Sequence, residues 1–229
     1  MKDIAGAIDD YNKAIIINDS CDICYFSRGQ IKYSTGDKAG AAADYNKTIA
    51  LNPNHAQAFY YRGGILFEEK EYKSAINDFD KAIELNPNYA YSYNDRGSAK
   101  RQSEDYTGAV ADHKKAIELN PELSFVYNNL GSVLRKKELF REAIAAYDKS
   151  LTVKESHITY NNRGSTRYDE GDYKGAAEDF SKAIKLKIDY SVAYNNRGAA
   201  KFKLNDLKGA VADYDKAIQL NSQYGYAYL

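Results

Sequence analysis

The sequence predicts an all-α fold made of repeated pairs of antiparallel helices. Six glycines recur at intervals of 33 or 34 residues: Gly29, Gly63, Gly97, Gly131, Gly164 and Gly198. Each lies in a near-copy of one short phrase, such as Tyr93-Asn-Asp-Arg-Gly. Helix-capping residues return at fixed offsets from these glycines. A fixed period of this length is typical of stacked helical units, each of which buries its apolar face against the next.

Within each unit the signals for two helices follow in the same order. The first helix carries the aromatic residue and the glycine, and Gly36 and Gly171 suit a left-handed residue at its end. An aspartate then caps the second helix, because its side chain accepts backbone N–H groups that the first turn leaves unpaired. These caps are Asp37, Asp105, Asp172 and Asp206. Apolar residues of the second helix form one stripe, and Asn-Pro at Asn52, Asn86 and Asn120 ends it.

These signals divide the chain into eight segments. They are a partial repeat over 1–21 with a second helix only, repeats over 22–55, 56–89, 90–123, 124–156 (one residue short), 157–190 and 191–224, and the start of a truncated repeat over 225–229. Because neither end carries a polar cap, we expect a fragment of a longer array, with ends that could stack head-to-tail between molecules. We expect a cytoplasmic location and a missing native N-terminus.

Three columns of residues carry a family resemblance. An aromatic residue precedes each glycine by four positions, at Tyr25, Phe59, Tyr93, Tyr127, Tyr160 and Tyr194. A small residue follows at Ala41, Ala75, Ala109, Ala143, Ala176 and Ala210, and a second aromatic at Tyr45, Phe79, Tyr147, Phe180 and Tyr214, with His113 in their third place. The chain therefore resembles the tetratricopeptide repeat (TPR) family over essentially its whole length. The resemblance implies an α-α superhelix, a right-handed solenoid whose first helices line a concave groove.

Composition and motifs exclude several functions. Lys+Arg and Asp+Glu both number 32, so the basic surface of a nucleic-acid-binding protein is not expected. No apolar run approaches the roughly 20 residues of a membrane helix. No serine or cysteine occupies a repeat position that would place it beside a histidine as a catalytic nucleophile. The sequence also has neither a Gly-rich phosphate-binding loop nor a metal-ligand spacing such as His-Glu-x-x-His. We expect no enzyme activity, no cofactor and no metal, and we interpret Cys21 and Cys24 as ordinary residues between helices.

An arginine precedes five of the glycines and predicts structural ion pairs. Aspartates follow in the second helix, which gives the pairs Arg28–Asp44, Arg62–Asp78, Arg96–Asp112, Arg163–Asp179 and Arg197–Asp213. The repeat that has Leu130 in place of arginine has Ala146 in place of aspartate. Loss of both charges together is what a partly buried ion pair predicts, because one partner alone would remain as an unpaired charge.

The columns beside the glycine predict a peptide-binding groove. Its amides are Asn94, Asn128, Asn129, Asn161, Asn162, Asn195 and Asn196, and its aromatic residues are Phe26, Tyr60, Tyr61, Tyr91 and Phe125. An asparagine offers a donor and an acceptor, so a row of them can pair with the backbone of an extended peptide. The row is similar to the asparagine ladder in the repeat domain of O-linked N-acetylglucosamine transferase. The alternative is that the asparagines bond to one another.

Together these features predict a non-catalytic protein–protein interaction scaffold that binds an extended segment of a protein or peptide partner in its groove. Two alternatives remain open. The chain could be a structural or self-assembling array without a peptide ligand, or it could be the substrate-recruiting part of a larger enzyme.

Overall fold

The computed structural model describes residues 4–221, which form thirteen helices and no strand. The predicted all-α helical-repeat class is confirmed. The truncated repeat predicted over 225–229 lies outside the described residues. Among the described helices, none combines the length and the apolar character needed to cross a bilayer.

The helices belong to two compact units, Met1–Leu119 and Asn120–Leu229. The first contains α1 (Ile4–Ile17), α2 (Asp22–Ser34), α3 (Lys38–Leu51), α4 (Ala56–Glu68), α5 (Tyr72–Leu85), α6 (Ala90–Gln102) and α7 (Tyr106–Leu119). The second contains α8 (Ser124–Lys136), α9 (Phe140–Val153), α10 (His157–Glu170), α11 (Tyr173–Leu186), α12 (Ser191–Lys203) and α13 (Leu207–Leu220). The helix pairs are α2/α3, α4/α5, α6/α7, α8/α9, α10/α11 and α12/α13, and neighbouring pairs of one unit also pack together.

The repeated glycine is explained by how closely the two helices of a pair approach. A Cβ atom placed on Gly131 would lie 2.7 Å from the Tyr147 ring, and one on Gly63 would lie 2.9 Å from the Phe79 ring. A Cβ atom placed on any of the other four glycines of the column would lie 2.8–3.0 Å from the aromatic residue of the paired second helix. A side chain larger than hydrogen would therefore push the two helices apart.

The turn inside each pair places one residue in the left-handed region, which lets the chain reverse between the helices. Gly36 and Gly171 occupy this position with φ of 90° and 94°, as the sequence predicts. In the other four turns a residue with a side chain adopts it, namely Lys70, Glu104, Glu138 and Asn205. The four predicted aspartate caps each accept a hydrogen bond from the backbone N–H three residues ahead.

The interpretation of Cys21 and Cys24 as ordinary residues was wrong, because the structure joins them in a disulfide. Cys21 is the residue before α2, and Cys24 lies in the first turn of that helix. Their Cα atoms are 5.3 Å apart, within the usual range for a disulfide. Residues three apart at the start of a helix are brought close together by the first turn, which is the signal for this disulfide.

His113 takes a place that is aromatic in every other pair, and it is fully buried. Neither ring nitrogen has a hydrogen-bond partner among the described residues. Burial lowers the pKa of His113 to about 4, since the charged imidazolium would lose its hydration. The neutral ring still leaves two polar atoms unsatisfied, which destabilises the first unit.

We expect His113→Phe to raise the free energy of unfolding by about 1–2 kcal/mol, because it removes unsatisfied buried nitrogens from a site that accepts phenylalanine elsewhere. The unfolded chain binds a proton on this histidine below pH 6.5, whereas the folded chain does so only near pH 4. The free energy of unfolding of the wild type should therefore fall as the pH is lowered from 6.5 towards 4. The variant, which has no histidine at this position, should lack this loss. Urea unfolding at pH 7 and pH 5 measures both effects.

Tyr45→Phe is the control for this prediction. It removes a buried hydroxyl without a partner from the same column. It should leave the difference in stability between pH 7 and pH 5 as in the wild type. An identical pH dependence in wild type and His113→Phe would contradict the assignment.

Candidate functional site

Each arginine before a repeat glycine is bound through two parallel hydrogen bonds to an aspartate of the paired second helix. In one pair, Arg62 Nε donates to Asp78 Oδ2 at 2.7 Å and Nη2 donates to Oδ1 at 2.6 Å. The same two bonds, at 2.5–2.9 Å, join Arg28 to Asp44, Arg96 to Asp112, Arg163 to Asp179 and Arg197 to Asp213. This fork geometry orients the guanidinium as well as neutralising it.

The same guanidinium makes two further contacts. It lies over the ring of the aromatic residue three positions earlier, as Arg62 does over Phe59 at 5.5 Å from the ring centre. Its remaining nitrogen, Nη1, donates to the second helix of the preceding pair. The acceptors are Asn12 for Arg28, Asn46 for Arg62, Asp80 for Arg96, Asp148 for Arg163 and Ser181 for Arg197. One side chain thus connects both helices of a pair to the pair before it.

The fourth repeat fills the corresponding positions without charge. Leu130 and Ala146, which replace arginine and aspartate there, are both buried. An apolar pair is therefore accommodated where the other repeats bury an ion pair. The replacement of both partners together leaves no isolated charge at this place.

The predicted amides form hydrogen bonds between successive first helices. Asn162 Nδ2 donates to Asn128 Oδ1 at 3.0 Å, and Asn196 Nδ2 donates to Asn161 Oδ1 at 3.0 Å. In each bond the residue three before one glycine meets the residue two before the next. We call these contacts rungs.

A third rung in the first unit has different chemistry. There Tyr60 OH donates to Asp95 Oδ2 at 2.8 Å, and Asn94 Nδ2 donates to Asp95 Oδ1 at 2.9 Å. Burial raises the pKa of Asp95, although both hydrogen bonds act in the opposite direction. A tyrosine and a carboxylate therefore make the same connection that two asparagines make in the second unit. Asp95 was not among the predicted site residues, and its place in an asparagine column was the available signal.

Burial separates the predicted amides into two groups. Asn94 and Asn161 are only 4% and 7% exposed, so a bound peptide would find little of them at the surface. The half-buried amides are Asn128, Asn129, Asn162, Asn195 and Asn196. Within residues 4–221, the Asn195 side chain makes no hydrogen bond.

The predicted aromatic residues also differ in exposure. Phe26 is 8% exposed and packs on His55, with ring centres 4.5 Å apart, so it belongs to the core and its prediction as a groove residue is corrected. Tyr60 and Tyr61 are half-buried and touch each other edge to face at 5.1 Å. Tyr91 in the first unit and Phe125 in the second are 38% and 40% exposed.

A polar cavity of about 450 Å³ lies among α8, α9 and α10 of the second unit. Its lining residues are Ser132, Arg135, Lys136, Glu138, Phe140 and Asp169. Arg135 Nε donates to Asp169 Oδ2 at 2.6 Å, which links α8 to α10. Asn128, Ser132 and Arg135 are spaced four and three residues apart, so they share one face of α8. Sequence reasoning missed this cavity because Asp169 comes from a different repeat.

Residues 4–221 contain no group of three or more His, Cys, Asp or Glu side chains arranged to hold a metal ion. The chemistry available on the described surfaces is hydrogen bonding by amides and hydroxyls, ion pairing, and contact with exposed aromatic rings.

Models of known protein families match these helix pairs. Models described as tetratricopeptide repeat match residues 26–90, 90–123, 126–157 and 191–224, and one described as TPR repeat matches 164–205. No curated protein matches the sequence.

Several solved structures are similar. The crystal structure of MamA is 26% identical with a TM-score of 0.64, covering 69% of this chain and 92% of that one. YrrB, described as a TPR protein with an unusual peptide-binding site, is 24% identical with a TM-score of 0.64, covering 81% and 96%. Pseudomonas aeruginosa pilF is 20% identical with a TM-score of 0.76, covering 92% and 96%. The likenesses to YrrB and pilF show the fold alone.

We expect Arg62→Leu to lower the free energy of unfolding by about 3 kcal/mol, because it leaves the buried Asp78 without its cation. Adding Asp78→Ala, which reproduces the Leu130 and Ala146 combination, should recover most of the loss. A double-mutant cycle with urea unfolding measures the coupling. Additive losses from Arg62→Leu and Asp78→Ala would contradict the ion-pair assignment.

The rungs predict different effects for two asparagines of one surface. Asn162→Ala removes a rung and should lower the free energy of unfolding by about 1 kcal/mol. Asn195→Ala removes no hydrogen bond within the described residues and should change stability by less than about 0.5 kcal/mol. Urea unfolding of both variants measures this difference. Equal losses would show that the rung adds no stability.

Proposed function

The chain belongs to the tetratricopeptide repeat family, and from this premise we propose that it is a non-catalytic scaffold for protein–protein interaction. We further propose that α8, α10 and α12 of the second unit bind an extended segment of a partner protein. The observation that carries this proposal is the surface on which the amides of successive first helices lie side by side.

The rungs leave hydrogen-bonding capacity unused on this surface. Asn162 spends one of its two amide N–H groups on Asn128, and Asn195 spends none on the described residues. Repeated donors and acceptors of this kind match the N–H and C=O groups of an extended backbone. The segment would be held mainly through its main chain, with limited reading of its side chains.

The neighbouring cavity gives the surface a direction. It continues the face of α8 that carries Asn128, and its lining includes Arg135, Lys136 and the hydroxyl of Ser132. A polar side chain that both donates and accepts hydrogen bonds would fit this end of the surface, because Arg135 and Lys136 are balanced in the lining by Glu138 and Asp169.

A purely structural array is the second candidate, and one observation favours it. Three rungs already bind residues of the predicted groove to one another, and a hydrogen bond used inside the protein is not available to a ligand. The two candidates differ over Asn195, for which residues 4–221 provide no such hydrogen bond. The likeness to YrrB shows only the shared fold, so its peptide-binding site supports the proposal by analogy alone.

Selection of peptides from a random displayed library, followed by calorimetry, tests the proposal. Asn195→Ala should weaken a selected peptide about fivefold to tenfold, which corresponds to one or two hydrogen bonds. The matched control is Asn77→Ala on α5, an exposed asparagine on a second helix of the first unit, and it should leave affinity unchanged.

N-methylation of the peptide backbone distinguishes main-chain binding from side-chain binding. Blocking backbone N–H groups should abolish binding, whereas exchanging side chains should have a smaller effect. Failure to select any peptide, or an equal effect of Asn195→Ala and Asn77→Ala, would favour the structural array.

A further inference from the structure

The acceptor for arginine Nη1 differs among the five repeats that have an arginine. Arg96 and Arg163 donate to the carboxylates of Asp80 and Asp148. Arg28 and Arg62 donate to the asparagine amides already named. Only Arg197, among the described arginines of this column, meets a hydroxyl.

That hydroxyl is Ser181 Oγ, which accepts from Arg197 Nη1 at 3.1 Å and donates to the carbonyl oxygen of Ala177 at 2.8 Å. The serine satisfies local hydrogen bonding but supplies no negative charge. Its side chain is also shorter than aspartate, so it fills less of the space in front of the guanidinium.

Two adjacent repeats make a close internal comparison. Asp179 is shared by Arg163 and Arg167, and Asp213 is shared in the same way by Arg197 and Lys201. Both sites therefore hold two cations around one buried aspartate. The first is completed by a second carboxylate, Asp148, whereas the corresponding position of the second is Ser181.

The position left unfilled opens into a shallow cavity of about 490 Å³ between α11 and α12. Its lining residues are Lys174, Ala177, Glu178, Ser181, Lys182, Arg197, Lys201 and Leu204. The lining thus contains four cations and one carboxylate, that of Glu178. Asp213, which is not part of the lining, neutralises one further charge through its contacts with Arg197 and Lys201. The cavity therefore keeps an excess of positive charge beside the Arg197 guanidinium. In other repeats the equivalent arginine, Arg96 or Arg163, holds a carboxylate at this place.

We propose that this cavity binds the carboxylate of an aspartate or glutamate side chain from a partner protein. The occupant is inferred from the chain itself, because an aspartate carboxylate completes the equivalent place in front of Arg96 and Arg163. The bound carboxylate accepts hydrogen bonds from Arg197 Nη1 and from the cavity lysines, as a charge-assisted contact.

This site is separate from the amide surface. Arg197 follows Asn195 by two residues, which is about 200° around the axis of α12. Binding in the cavity therefore does not depend on the peptide binding proposed for the amides, and either proposal can fail alone.

The test follows the Nε–Hε resonance of Arg197 in the full chain by NMR, with acetylated tetraglutamate as the probe. We expect a saturable shift that tetraglutamine does not produce. Inorganic phosphate serves as a third probe. Saturation by phosphate without saturation by tetraglutamate would overturn the assignment to a carboxylate, and no saturable shift with any probe would overturn the site itself.

Ser181→Asp places an internal carboxylate in the position that Asp148 has beside Arg163. It should weaken tetraglutamate binding at least about tenfold while leaving the helicity unchanged. Lys185→Gln is the matched control, because it alters net charge by the same amount from an exposed position of α11 outside the cavity lining. It should change affinity by less than about twofold. Equal weakening by both variants would show diffuse attraction and contradict the site.

Two further variants keep the test decisive if Ser181→Asp disturbs the fold. Lys174→Gln removes an exposed lining cation without touching an ion pair of the described residues, and it should weaken binding severalfold more than Lys185→Gln. Asp148→Ser should create a second responsive site, visible as a new saturable shift of the Arg163 resonance. Absence of both effects would overturn the proposal.

Discussion

The separation between the two helices of each pair is the constraint on which the other contacts depend. The aromatic ring of the second helix packs so closely on the glycine of the first that a Cβ atom on the glycine would clash with the ring. Only at this separation can an arginine beside the glycine place both of its parallel N–H groups on the aspartate opposite. The guanidinium is then held at an angle that brings its remaining nitrogen to the preceding pair. Close packing thus comes first, and the buried charges are satisfied because of it.

This order of dependence also decides which residues remain for a partner. Arginines and aspartates are used within the array, and so are most of the amides that line successive first helices. Where the internal pairing is complete, as around Arg163, the surface offers little that a partner could satisfy. Where the internal partner is shortened, as at Ser181, the guanidinium beside it keeps unused capacity. The proposed carboxylate site is therefore a departure from the repeat pattern, whereas the amide surface is part of it.

Much of the fold could be predicted from the sequence, because the repeat itself allows comparison between columns. The period, the aspartate caps and the antiparallel pairing all follow from residues at fixed offsets within one repeat. The rungs could not be predicted in the same way, since they join two different columns of two different repeats, as Asn128 and Asn162 show. Phe26 is buried in part by Tyr61 of the following repeat, and the left-handed Lys70 gives no signal comparable to glycine. Contacts within a repeat can therefore be predicted from the pattern, whereas contacts between repeats also require the offset of one repeat on the next.

The link from arginine Nη1 to the preceding pair has an evolutionary consequence. Its donor and its acceptor both belong to the repeating unit, at fixed positions of the first and second helix. A tandem gene duplication therefore delivers the two complementary surfaces in a single event, and no new interface has to arise by later substitution. Such an array can lengthen or shorten by unequal recombination while each junction stays compatible. Point substitutions such as serine for aspartate at position 181 can then give one junction a property that its copies lack.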